Sequence, residues 1–120
     1  MDKKELGDFG EKVTAYYLEK KGYRILKRNF RIKGGEIDII AEKDGIIVFT
    51  EVKTRAPDPL VNGFEAITAA KKKRIIKASE IYSMRYPHDF QPRFDAVWIT
   101  VSDGKVTGFR YVENAFDAST

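Results

Sequence analysis

The chain has 120 residues, 42% of them hydrophobic and 33% charged, the size and balance of one globular domain spanning residues 1–120. It contains no cysteine, which excludes disulfides and thiolate zinc sites, and no apolar run near the about 18 residues of a spanning helix, so a cytoplasmic protein with no membrane partner is expected. Twenty-two Lys plus Arg against eighteen Asp plus Glu leave a net charge of +4, an excess that admits a polyanionic partner without demanding one.

From Lys3 to Lys21, Leu6, Phe9, Val13, Tyr16 and Tyr17 recur at helical spacing, and Gly22 follows as a C-terminal cap. Tyr23 to Ile32 mixes aromatic, β-branched and basic residues before Gly34-Gly35 breaks it, which predicts a strand and a turn. Glu36 to Glu42 and Ile46 to Thr54 read as two more strands, joined at Lys43-Asp44-Gly45, where Asp-Gly is a tight-hairpin signal. Pro57, Pro59 and Asn62-Gly63 mark a loop. A second helix is predicted from about Phe64 to Arg85, with Ile75, Ala78 and Tyr82 on its inward stripe. Arg93 to Val101 and Lys105 to Val112 then form a hairpin around Asp103-Gly104. The order α-β-β-β-α-β-β predicts an α/β fold, a mixed sheet of about four or five strands flanked by two helices.

Chemistry concentrates in Gly35-Glu36-Ile37-Asp38 and, across the hairpin, Thr50-Glu51-Val52-Lys53. Glu51 and Lys53 share one face of their strand, and Glu36 shares one with Asp38. A two-residue Asp44-Gly45 turn sets Asp38 opposite Glu51 and Glu36 opposite Lys53. Facing carboxylates repel unless a divalent cation lies between them. Oxygen ligands without His or Cys favour Mg2+ or Mn2+, the metals of phosphoryl chemistry. The solvated face of an amphipathic hairpin, with Glu36 and Lys53 as a surface pair, accounts for the same residues.

An acid, a hairpin and then Glu-x-Lys resembles the PD-(D/E)XK nuclease superfamily, with Asp38, Glu51 and Lys53 at its acid, acid and lysine and Ile37 at the position of its proline. Gly7 with Gly10-Glu11, Gly22-Tyr23, Asn29-Phe30-Arg31, Gly35-Glu36-Ile37-Asp38, Phe49-Thr50-Glu51-Val52-Lys53-Thr54-Arg55 and Arg93-Phe94-Asp95 are together similar to the YraN-like bacterial proteins, from about Leu6 to about Val101. The resemblance implies a restriction-endonuclease-like core akin to archaeal Holliday junction resolvases. It also implies a metal held by Asp38, Glu51, the Val52 carbonyl and Glu11, with Lys53 positioning the water. The expected function is a magnesium-dependent nuclease acting on DNA, branched DNA included, and a homodimer for symmetric junctions. A nucleic-acid-binding module that does not cleave and a protein-interaction domain are the alternatives from other classes.

Glu11 falls on a helical stripe with Gly7, Ala15 and Leu18, nearly opposite Phe9, Val13 and Tyr16, so it interrupts a second apolar face. Lys71-Lys72-Lys73-Arg74 sits where positive charge opposes the helix dipole. Lys71, one turn before Ile75, is the member predicted to face the site. Arg28, Arg31, Lys33 and Arg55 would extend a basic rim for phosphates. Interleaved Tyr23 and Phe30 suit either base stacking or the core. His88 reads as a loop residue, and Asp95 as a residue that caps or pairs with a neighbouring strand, with no chemistry assigned to it.

Overall fold

The computed structural model describes residues 1–58 and 65–118; Pro59, Asn62-Gly63 and Phe64, read above as a loop and a helix start, lie outside them. Asp2 opens helix α1 (Lys3–Lys20) with a reciprocal capping box to Glu5. Strands β1 (Arg24–Ile32), β2 (Gly35–Lys43) and β3 (Ile46–Arg55) follow, then helix α2 (Ala69–Arg85) and strands β4 (Gln91–Ser102) and β5 (Lys105–Phe116). The sheet runs β1-β2-β3-β4-β5. Its β3–β4 pair is parallel and the rest antiparallel. A parallel neighbour needs a crossover rather than a hairpin, and the connection through α2 supplies it.

The two helices cover opposite faces. Ile75, Ala78 and Tyr82 of α2 bury against Ile37, Ile40, Phe49, Phe94 and Ala96. Ala15 and Leu18 of α1 bury against Ile39, Ala41 and Val48, while Leu6, Phe9 and Val13 pack on Val97, Ile99 and Val101.

One boundary and one helix face differ from the sequence reading. Helix α2 starts at Ala69 rather than near Phe64, because the Thr68 side chain accepts the Lys71 amide hydrogen and caps the first turn. In α1 the deepest face is Gly10, Glu11, Thr14, Ala15 and Leu18, whereas Tyr16 is 62% exposed. Small residues win that face because they let the helix backbone come close to β3. A Cβ added at Gly10 would lie 1.7 Å from Thr54 Oγ1 and 2.8 Å from Thr54 Cβ. No rotation of Thr54 relieves the second contact. Gly10→Ala is therefore expected to cost about 3 kcal/mol in urea unfolding. The double variant with Thr54→Gly should recover part of it, and an unchanged midpoint in the single variant would contradict this packing.

Candidate functional site

The Asp44-Gly45 turn has positive φ at both residues, 50° and 79°, the form that keeps a hairpin twisted with its strands. It sets the expected register from Lys43–Ile46 to Ile39–Thr50. There the ladder stops. The expected direct pairs Asp38–Glu51 and Glu36–Lys53 do not form, because the backbone alternation breaks at Asp38. Strict alternation would put Ile37 with Ile39 and Ala41. Instead Ile37 joins Ile40 on the α2 side, and Ile39 joins Ala41 on the α1 side. On β1 the matching defect is Asn29, left-handed at φ 53° between the pairs Arg28–Ile39 and Phe30–Ile37, a conformation Asn tolerates better than most residues. Beyond this point β2 and β3 part into a fork. Asp38 bridges it, its carboxylate accepting the Val52 amide hydrogen at 2.7 Å.

Three carboxylates meet this fork from different elements. Glu51, only 7% exposed, has its carboxyl pushed up to about 8, first by burial and then by the charge of Asp38. Burial also raises Asp38, against the pull of the Val52 amide. Glu11 reaches the fork from α1 and is raised by burial and then by Asp38. Its Oε1 is buried without a hydrogen bond, the nearest cation being Arg28 at 3.9 Å. Three acids that each resist ionisation are costly to a fold, and such clusters concentrate at functional sites.

Lys71 supplies the counter-charge. Its Nζ donates to Glu36 Oε1 at 2.6 Å and stands 3.6 Å from Glu51 Oε2. Burial alone would lower its pKa, but the Glu36 hydrogen bond and the charges of Glu51, Glu36 and Asp38 outweigh that and raise it. Glu36 is lowered in turn, chiefly by the same hydrogen bond. Thus Glu36 serves as partner of Lys71, not of Lys53, a role visible only once α2 is docked. Among the described residues, no three acidic or histidine side chains form a ready metal cage. The donor chemistry still fits a hard divalent cation, with the buried Glu51 carboxylate beside the half-buried Asp38 carboxylate and an unpartnered oxygen on Glu11.

The other predicted residues divide. Lys53 shares the face of Glu51 and acts on its charge, while its Nζ is 3.7 Å from Glu65 Oε2. Arg55 grips Glu65 with two hydrogen bonds of 2.7 and 3.2 Å. Arg31 pairs across β1–β2 with Glu36, and Lys33 is exposed in the turn beyond it. A hollow of about 430 Å³ beside Glu11 is lined by Lys3, Lys4, Asp8, Asn29 and Arg31. Tyr23 and Phe30 are structural: Arg93 donates to the Tyr23 hydroxyl at 2.8 Å, and Phe30 meets Tyr82 edge to face. His88 is held at both ring nitrogens, by Ser83 and by the Phe90 amide. The sequence pattern does not mark Glu65 or Asn29 as site residues, although Asn29 opens the Asn29-Phe30-Arg31 motif. Nothing in the local pattern marks Glu65, which meets Arg55, Lys53 and Trp98 only through tertiary contacts.

Residues 10–99 match the model of the uncharacterised protein family UPF0102. The chain belongs to the UPF0102 family. A UPF0102 protein of Syntrophomonas wolfei is 45% identical over 114 residues, 94% of this chain and 98% of its own length. One from Dictyoglomus thermophilum is 41% identical over 118 residues, 97% and 100% of the two chains. Another, from Caldanaerobacter subterraneus, is 41% identical over 120 residues, 97% and 98%. The UPF0102 match begins at Gly10, spans the fork and its Glu-x-Lys strand, and ends within β4. Among the described residues no helix is long and apolar enough to cross a membrane.

Proposed function

We propose that this UPF0102 protein is a metal-dependent nuclease that hydrolyses phosphodiester bonds of DNA, with the fork as its centre. The observation that supports it best is the meeting of the Asp38 and Glu51 side chains at the fork, where burial and the Asp38 charge raise the Glu51 carboxyl to about 8. A fold keeps such a pair at a cost in stability, and a cation between them would offset it. Asp38, Glu51, the Val52 carbonyl and Glu11 would hold Mg2+ or Mn2+, which supplies a polarised phosphate and a more acidic water. Lys53, on the face of Glu51, would orient that water and balance charge on the phosphate. Lys71 carries the counter-charge of the fork, so a cation taking that role leaves its ammonium for a phosphate. Arg31 and Lys33 would follow the backbone on the β1–β2 side. In all this the residues resemble the PD-(D/E)XK arrangement.

Cleavage of labelled branched, flapped, duplex and single-stranded DNA with Mg2+ or Mn2+ tests the proposal. Asp38→Ala and Lys53→Ala should each lower the rate by about 10²–10³-fold or more. Two copies per junction, read by light scattering, are expected for a symmetric branched substrate. The seat of Lys71 among the carboxylates favours a second reading, a binding module that does not cleave. Salt-dependent DNA binding without metal, with no cutting of any substrate, would select it. Loss of both DNA and metal binding would point to a protein-interaction domain.

A further inference from the structure

On the face of the sheet that carries Glu51, α2 lies chiefly over β2, and a cleft lies along β3, β4 and β5. Cross-strand partners share a face, so Lys53, Trp98 and Arg110 stand in one row across β3, β4 and β5, and Arg55, Thr100 and Gly108 in the next. Gly108 has no side chain to fill its place, and a Cβ there would meet Thr100 Oγ1 at 2.3 Å. The result is a cleft of about 520 Å³ walled by Trp98, with Lys53, Arg55 and Arg110 around it and the acids Asp58 and Glu65 at its lining. That volume falls in the about 300–1,000 Å³ range of small-ligand sites. It begins at Lys53, two residues from Glu51 on the same strand.

One carboxylate already shows how this cleft holds an anion. Glu65 takes two parallel hydrogen bonds from Arg55, whose third nitrogen is fixed by the Thr54 carbonyl at 2.9 Å. Lys53 faces the same carboxylate from 3.7 Å. A planar guanidinium fork with an ammonium beside it fits a phosphate as well as a carboxylate. The Arg55 hydrogen bonds lead the causes that lower Glu65 below the usual carboxylate range. The Glu65 carbonyl also accepts from Trp98 Nε1 at 2.9 Å, so the same residue touches both the cations and the indole.

We infer that this cleft seats one unpaired nucleotide of the bound strand, its phosphate between Lys53 and Arg55 in the place of the Glu65 carboxylate and its base against Trp98. The inference rests on the nuclease reading for the choice of a nucleic-acid strand, and it narrows the substrate to DNA with unpaired residues at the cut. A base stacked within a duplex cannot reach an indole set in a cleft, whereas a flap or single strand can place one there.

Trp98 is the chain's one tryptophan, so its fluorescence reports on this cleft alone. A short oligothymidylate and a flapped duplex, but not a blunt duplex, are expected to quench it in the full-length protein, with binding followed in parallel by anisotropy. Trp98→Ala should weaken single-strand binding by about tenfold or more. Arg110→Ala, an exposed substitution that leaves the core intact, should weaken it as well. Glu65→Gln should tighten binding and steepen the salt dependence by about 0.7 in log–log slope, one phosphate seated on a single strand. Glu19→Gln, the same charge change on α1, should leave that slope alone. Binding without quenching, or a slope unmoved by Glu65→Gln, overturns the subsite while cleavage at the fork stands. Absence of any strand binding overturns it too. Quenching with the predicted variant effects but no cleavage keeps the subsite and removes the nuclease.

Discussion

Glu51→Gln is expected to abolish cleavage and at the same time to stabilise the metal-free protein at pH 8. Glu51 titrates near 8 in the fold against 4.5 for the free side chain. The folded state therefore binds this proton more tightly than the unfolded one. Its favourable contribution is complete below about pH 4.5 and is lost as pH rises through about 8. Glutamine keeps the shape and removes the ionisation. Wild type and variant should thus be close at pH 5, and the variant ahead at pH 8.5 by on the order of 3 kcal/mol.

Other acids oppose this trend, Glu36 and Glu65 being lowered by their basic partners. They are common to both proteins, so the difference between wild type and variant reports Glu51 together with its coupling to Asp38 and Lys71. Thermal melts at the two pH values, with and without Mg2+, make the measurement. A shift of about 4 °C is expected for each kcal/mol. Magnesium should raise the wild-type midpoint at pH 8.5 and leave the variant nearly unmoved, because a cation at the fork replaces the proton. A wild type that gains on the variant as pH rises would remove the electrostatic argument for this centre.

The hairpin that carries Asp38 and Glu51 was readable because its register depends on local chemistry, the positive φ that Asp44-Gly45 accepts. The fork was not, since it arises where Asn29 and Asp38 both leave the regular pleat, and a period-2 pattern cannot announce its own defect. Glu11 was legible in part. Its stripe could be drawn from the sequence, but only the approach of Gly10 to Thr54 makes that stripe the deepest face of α1. Lys71 was legible by its spacing from Ile75, whereas its partner Glu36 was assigned to Lys53 by carrying the hairpin register too far. Glu65 gains its role from contacts with Arg55 and Trp98, distant in sequence, which no local pattern announces.

Asp95 is the clearest case of a residue whose weight is set by tertiary structure, and its removal carries the second large expected effect. It is fully buried and accepts two hydrogen bonds from Arg93, at 2.9 Å each, one from the Tyr111 hydroxyl and one from the Asn114 amide. Burial and then the Asp95 charge hold the Tyr111 hydroxyl protonated far above its ordinary range. Asp95→Ala would strand Arg93, 16% exposed in its side chain, with only Tyr23 and a distant Glu113 at 3.7 Å. Breaking one side of a buried ion pair costs about 3–5 kcal/mol, so this variant should lose that much in urea unfolding. Tyr111→Phe, which removes one donor and keeps the ring, should lose about 1 kcal/mol. The consequence reaches the fork. Thr50 pairs with Asp95 across β3–β4 and shares the Tyr111 hydroxyl at 3.0 Å. It is also the last β3 residue paired to β2, immediately before Glu51. The network therefore fixes β3 where it parts from β2 and the two carboxylates meet, and Asp95→Asn should weaken Mg2+ binding at temperatures where the variant remains folded. A variant that binds Mg2+ like wild type while losing its share of stability would confine Asp95 to the fold.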